Sequence, residues 1–190
     1  MKKKTMGIII AIIVVIAILI MPFISSYNKF VALDEQVNTV ASDLDAQLQR
    51  RADLIPNLVA TVQGYASQEK EVFTSIADAR SKLAGAGTME EKANANSELS
   101  SALSRLLVVV ERYPELKSNE NFKDLSIALE GTENRITIKR EDYNKIVAEY
   151  NKKTKKFPSN IVASMFGFEE KEYFKASEGA KEAPKVEFNK

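Results

Sequence analysis

Hydrophobic residues fall in two patterns along this chain: one unbroken apolar run near the amino terminus, then stripes that repeat every three or four residues. The run from Met6 to Ile24, MGIIIAIIVVIAILIMPFI, holds no charge, and as a helix it would cover roughly 28 Å against about 30 Å of bilayer hydrocarbon. It exceeds an ordinary signal-peptide core, and Ile24-Ser25-Ser26 is a poor small-x-small cleavage site, so an uncleaved transmembrane helix is expected over 6–24. Lys2, Lys3 and Lys4 precede the run, whereas Lys29 is soon followed by Asp34, Glu35, Asp43 and Asp45. That bias keeps residues 1–5 cytoplasmic and sends the body outside the cytoplasm, at the cell membrane.

Four amphipathic helices follow. Phe30, Leu33, Val37, Val40/Ala41, Leu44 and Leu48 mark one buried helical face. Leu58, Val62, Tyr65/Ala66, Val72/Phe73, Ile76 and Leu83 form a second stripe, closed by Gly85-Ala86-Gly87. Thr88 and Glu91 make a capping box that opens a third helix with Leu99, Ala102/Leu103, Leu106/Leu107 and Val110 inward. Tyr113-Pro114 stops it, because proline disfavours helical geometry in the residue before it. Ser118 is the expected cap of a fourth helix carrying Phe122, Leu125, Leu129, Ile136, Tyr143, Ile146/Val147 and Tyr150, with Gly131 as an interruption.

The segment DLIPN at 53–57 reads as a tight turn between the first two helices, with Asp53 as cap and Pro56 in a first helical turn. The fold class that results is all-α: an N-terminal transmembrane helix, then an antiparallel up-and-down four-helix bundle over 27–168 with a short C-terminal helix. That last helix is FPSNIVASMFGF at 157–168, capped by Ser159 and expected to close over the end of the bundle, with the headgroup layer as the alternative place for its apolar residues. Residues 169–190 form a charged tail, expected to be disordered after about Ser177.

Composition narrows the chemistry. The chain has no cysteine and no histidine, which removes thiolate sites, lipid-bearing cysteines, the usual zinc ligand and every Ser-His or Cys-His nucleophile pair. Taking Lys2–Lys4 from 27 basic residues leaves 24 against 26 acidic ones, so nucleic acid is not an expected partner. No enzyme activity, no cofactor and no metal are expected. Six charges nevertheless lie on or beside the apolar stripes: Arg51, Glu69, Arg80, Glu111, Glu133 and Arg140. They need partners. A pair between Arg51 and Glu111 is expected at the tip, and Glu69 and Glu133 at one level below Arg140 and Arg80. This reads as a structural ion-pair network, the alternative being a ligand- or metal-binding bundle using Glu69 and Glu133.

The motifs QRRADLIPNL at 49–58, GYASQE at 64–69, ERYPELKSNENF at 111–122, EGTENRI at 130–136, the two Tyr-Asn pairs ending at 144 and 151, and FPSN at 157–160 together resemble the LemA family. The resemblance covers Tyr27 to about Phe174. It implies a bacterial single-pass membrane protein with an antiparallel helical bundle and no established enzymatic activity. Some relatives help organise membrane compartments, and genes of the family often neighbour those of membrane proteases. Gln68 departs from the histidine that many members carry there, so no base or metal ligand is expected at that position.

Arg50, Asp53, Pro56, Asn57, Tyr113, Pro114 and Lys117 are placed by this reading at the tip farthest from the bilayer, as a candidate interaction surface. The expected role is a structural or protein-interaction module at the bacterial cell envelope. Its expected partners are the lipid bilayer and unidentified envelope or membrane proteins. A homo-oligomer through Gly7 and its apolar neighbours is the weaker reading, with one glycine behind it.

Overall fold

A computed structural model describes residues 2–175, in backbone alone at 2–5, 12 and 19. It is all-α: among the described residues there are six helices and no strand. They are α1 (Lys2–Gln63), α2 (Lys70–Gly85), α3 (Met89–Glu111), α4 (Pro114–Ser118), α5 (Glu120–Lys155) and α6 (Ser159–Phe166). The apolar run and the first bundle helix are one continuous helix, and no part of the apolar window is buried in protein. The described chain divides into two compact units, residues 2–40 with 145–171, and 41–144 with 172–175.

In the unit containing 41–144, α1 and α3 run one way and α2 and α5 the other. Lys92 pairs with Asp45 and Arg112 with Glu69, so numbers rise together on α3 and α1. Asn119 bonds Tyr65, Glu133 meets Arg51 and Lys139 meets Asp43, so numbers fall on α5 as they climb on α1. This is the expected up-and-down arrangement. Its core is the inward set Leu44, Leu48, Ile55, Leu58, Val62, Ile76, Leu99, Leu106 and Ile136. In the other unit Phe30, Tyr150, Val147 and Val162 are buried, with Phe168 stacked on Phe30 at 4.8 Å.

Most local signals act as expected. The Thr88–Glu91 capping box is present in full, α2 closes at Gly85, and Pro114 opens α4 after α3 has ended. Two caps differ. Asn119, not Ser118, accepts the free amide of Phe122 at the start of α5. The Ser159 hydroxyl lies 2.7 Å from the carbonyls of Lys153 and Lys156, closing the end of α5 instead of capping α6.

The expected turn at DLIPN is corrected. Asp53, Pro56 and Asn57 lie inside α1, and the chain turns at 64–69. Proline lacks an N–H, so its presence orphans the carbonyl four residues back, that of Ala52. Arg80 of α2 donates its Nε–H to that oxygen at 2.8 Å. A tertiary donor thus replaces the missing helical bond, while Pro56 itself faces solvent. The stripe Leu48, Ala52, Ile55, Leu58, Val62 passes through the proline without a phase break, the signal that the helix continues.

Residues 168–175 belong to no helix or strand, and several are tied to α5. The expected disorder after Ser177 falls outside the described residues.

Candidate functional site

Arg51 forms the polar centre of the bundle. It is 5% exposed and sits about 18 Å along α1 from that helix's end at Gln63. Nη1 donates to Asn96 Oδ1 at 2.6 Å, and Nη2 donates to Ser100 Oγ at 3.0 Å. Glu133 Oε2 lies 2.9 Å from Nη1, an ion-pair distance without hydrogen-bond alignment. Burial lowers the Arg51 pKa, and the Glu133 carboxylate opposes that shift. The guanidinium therefore joins three helices, α1, α3 and α5. It also lines, with Leu58, Leu103, Leu107, Leu129 and Ser104, a cleft of 510 Å³.

The remaining charges do not assemble as the stripes suggested. Glu111 pairs with Lys117, not with Arg51, because α1 continues past the point where the expected tip would lie. Glu69 sits in the 64–69 turn and binds Arg112 at 2.8 Å, far in sequence register from Glu133. Arg80 serves the Ala52 carbonyl, and half-buried Arg140 takes no part in these pairs. The six charges are thus dispersed over separate contacts instead of one network. Among the described residues no group of three acidic side chains is placed to hold a metal ion. The ligand-site reading that joined Glu69 to Glu133 therefore lacks its geometry.

The candidate interaction residues separate into two groups. Tyr113, Pro114 and Lys117 lie at the α3–α4 junction, near the turn where Tyr65 accepts a hydrogen bond from Asn119 at 3.1 Å. Gln68 is exposed in that same turn. Arg50, Asp53, Pro56 and Asn57 instead lie on the solvent face of α1, about 9 to 20 Å short of its end. Asp53 accepts from Gln49 one turn back at 2.8 Å, an arrangement of an exposed helix face rather than of a cap.

The two Tyr-Asn pairs do more than fill the core. Asn144 clamps the backbone of Phe174, accepting its N–H and donating to its carbonyl, both at 2.9 Å. Asn151 does the same for Lys171, both at 2.8 Å. A primary amide offers one donor and one acceptor on the same edge, so it matches the N–H and C=O of one extended residue. The Tyr143 hydroxyl donates to the carbonyl of Glu172 at 2.8 Å. Burial first, then Glu172 and Asp45, pushes its pKa up to about 12. The sequence showed tyrosines at core spacing beside polar neighbours, but not what those neighbours hold, because the receiving backbone is 20 to 30 residues away.

The LemA family profile matches residues 40–188. The chain is 30% identical over 203 residues to "Magnetosome protein MamQ 2" of Paramagnetospirillum magneticum, covering 91% of this chain and 75% of that one. It is 29% identical over 174 residues to "Magnetosome protein MamQ" of Magnetospirillum gryphiswaldense, covering 78% and 64% of the two chains. It is 25% identical over 171 residues to "Protein LemA" of Metamycoplasma hominis, covering 90% and 78%. With an exposed apolar helix long enough to cross a bilayer and a family match over residues 40–188, the chain belongs to the LemA family as a membrane-associated protein.

Proposed function

We propose that this protein is a single-pass membrane anchor that displays a rigid helical bundle outside the cytoplasm and acts by contact with envelope or membrane proteins, not by catalysis. The observation that carries the reading is the continuity of α1 from the apolar run into the bundle core. A helix that leaves the apolar run without a break suits a protein that presents its body at a membrane. Similarity to proteins named for the magnetosome supports a place at a membrane. The lysines before the run support a cytoplasmic amino terminus. Contact residues on this reading are the exposed α1 face, Arg50, Asp53 and Asn57, and the junction at Tyr113 and Lys117.

Protease added to intact, wall-stripped cells should cut within 30–170, as it does after lysis. A body cut only after lysis would refute the orientation. Photocrosslinkers at Asn57 and Lys117 in intact cells should each capture a discrete protein. Capture of nothing at either position would remove the contact role.

A further inference from the structure

Helix α6 follows α5 through Phe157-Pro158, and its two faces meet different surroundings. Ser159, Val162 and Ala163 are buried against the rest of their unit. Ile161 and Met165, one turn apart, are turned the other way and exposed, as are Phe157 and Phe166; Phe157 is 74% exposed and Met165 69%. Packing within its unit thus uses one face of the segment and leaves Phe157, Ile161, Met165 and Phe166 each at least 40% exposed. Covering such a face removes apolar area from water, so something of matching character belongs there.

Its neighbour on α1 identifies the occupant. The Phe166 ring is 4.7 Å from that of Tyr27, and the Phe168 ring is 5.7 Å from it. Tyr27 follows Ile24, the last residue of the apolar run, by about 4.5 Å of helix rise. The free face of α6 therefore starts where the membrane-spanning part of α1 stops. Phe23 and Ile24 are themselves exposed, so both elements present apolar side chains to their surroundings beside the Tyr27–Phe166 contact. Cations border it. Lys152, Lys153, Lys155 and Lys156 occupy the end of α5 and the residue after it, and Lys29 lies on α1. Lys155 is paired with Glu170, and the Lys153 ammonium lies 5.1 Å from the centre of the Phe30 ring.

We infer that α6 is a membrane-interface helix: Phe157, Ile161, Met165 and Phe166 enter the headgroup–acyl boundary of the bilayer that holds α1, with the flanking lysines on anionic headgroups. An apolar face bordered by lysines has the character of a segment lying in that layer. The inference rests on the anchored reading of α1 given above. It gives the unit that holds α6 a second attachment to the same lipid.

The chain has no cysteine, so single cysteines can be labelled cleanly in the full-length protein. Ile24→Cys, Ile161→Cys, Met165→Cys and Gln36→Cys, each carrying a fluorophore, would be reconstituted into vesicles of phosphatidylglycerol and phosphatidylcholine, with brominated lipid as quencher. Gln36 is exposed on α1, about 18 Å of helix beyond Ile24. Labels at 24, 161 and 165 should lose about half their emission or more, while the label at 36 loses about a tenth or less, given burial of roughly 5–10 Å in the interface. Labels at 161 and 165 that match 36 while 24 is quenched would overturn the inference and leave the anchor standing. An unquenched label at 24 would overturn the anchor and the inference together. If 161 and 165 resist both brominated lipid and aqueous maleimide at high protein-to-lipid ratio, but react with maleimide on dilution, a second copy covers the face and the lipid assignment is wrong. In vesicles without phosphatidylglycerol the quenching at 165 should fall by about half; no fall would remove the assigned role of the lysines.

Discussion

Replacing Arg80 with methionine tests the account of Pro56 inside α1. Methionine keeps much of the packed stem and removes the donor that serves the Ala52 carbonyl at 2.8 Å. Ala52 is buried, so water does not readily take the donor's place. A hydrogen bond from a charged donor is worth about 1.5–3 kcal/mol, and an unsatisfied buried carbonyl costs about 1–3 kcal/mol, so Arg80→Met should destabilise by about 2 kcal/mol. The same substitution in a Pro56→Ala background should cost only about 0.5 kcal/mol, because alanine at that position supplies the N–H that proline lacks. Pro56→Ala alone should stabilise by about 1–2 kcal/mol: relief of a helix penalty of about 3 kcal/mol, reduced by the looser unfolded chain and by the satisfaction Arg80 already provides. Equilibrium urea unfolding of the four proteins in one detergent, followed by helical circular dichroism, yields the coupling energy, expected at about 1.5 kcal/mol. Equal costs of Arg80→Met in both backgrounds would refute the reasoning, since the contact would then have no connection to the proline.

Three further outcomes follow from single sites. Arg51→Met should destabilise by about 2 kcal/mol in the same assay, because it strands Asn96 and the Glu133 carboxylate; Arg140→Met, outside these pairs, should cost about 0.5 kcal/mol or less. Gly131→Ala should raise stability by about 1 kcal/mol, since the residue is inside α5 and an added Cβ meets no atom within 4 Å; a loss of stability would mean that neighbouring atoms crowd the site after all. Tyr143 has a folded pKa of about 12 against an ordinary value of 10.0, so its contribution is fully present below pH 10 and is lost as pH rises toward 12. Stability should therefore drop by about 2–3 kcal/mol over that window, and Tyr143→Phe should remove this part of the slope; an unchanged slope would show that other groups cause it.

The sequence by itself determined what depends on neighbours three or four residues apart and on the composition of one segment. The apolar run from Met6, the inward stripes, the Thr88–Glu91 box and the stop at Tyr113-Pro114 are all of this kind. So is the family, carried by motifs such as ERYPELKSNENF. Tertiary structure decided which groups meet. DLIPN has every local mark of a turn, yet α1 passes through it because Arg80 arrives from another helix to satisfy one carbonyl. That difference moved the end of α1 from 53 to 63, and with it the partners of Arg51, Glu69 and Glu111. Residue spacing places a charge on a face, but the register between helices, set by where each one ends and how the cores interlock, places its partner. The amide clamps of Asn144 and Asn151 follow the same rule: the helix presents the side chain, and only the returning chain shows what it grips.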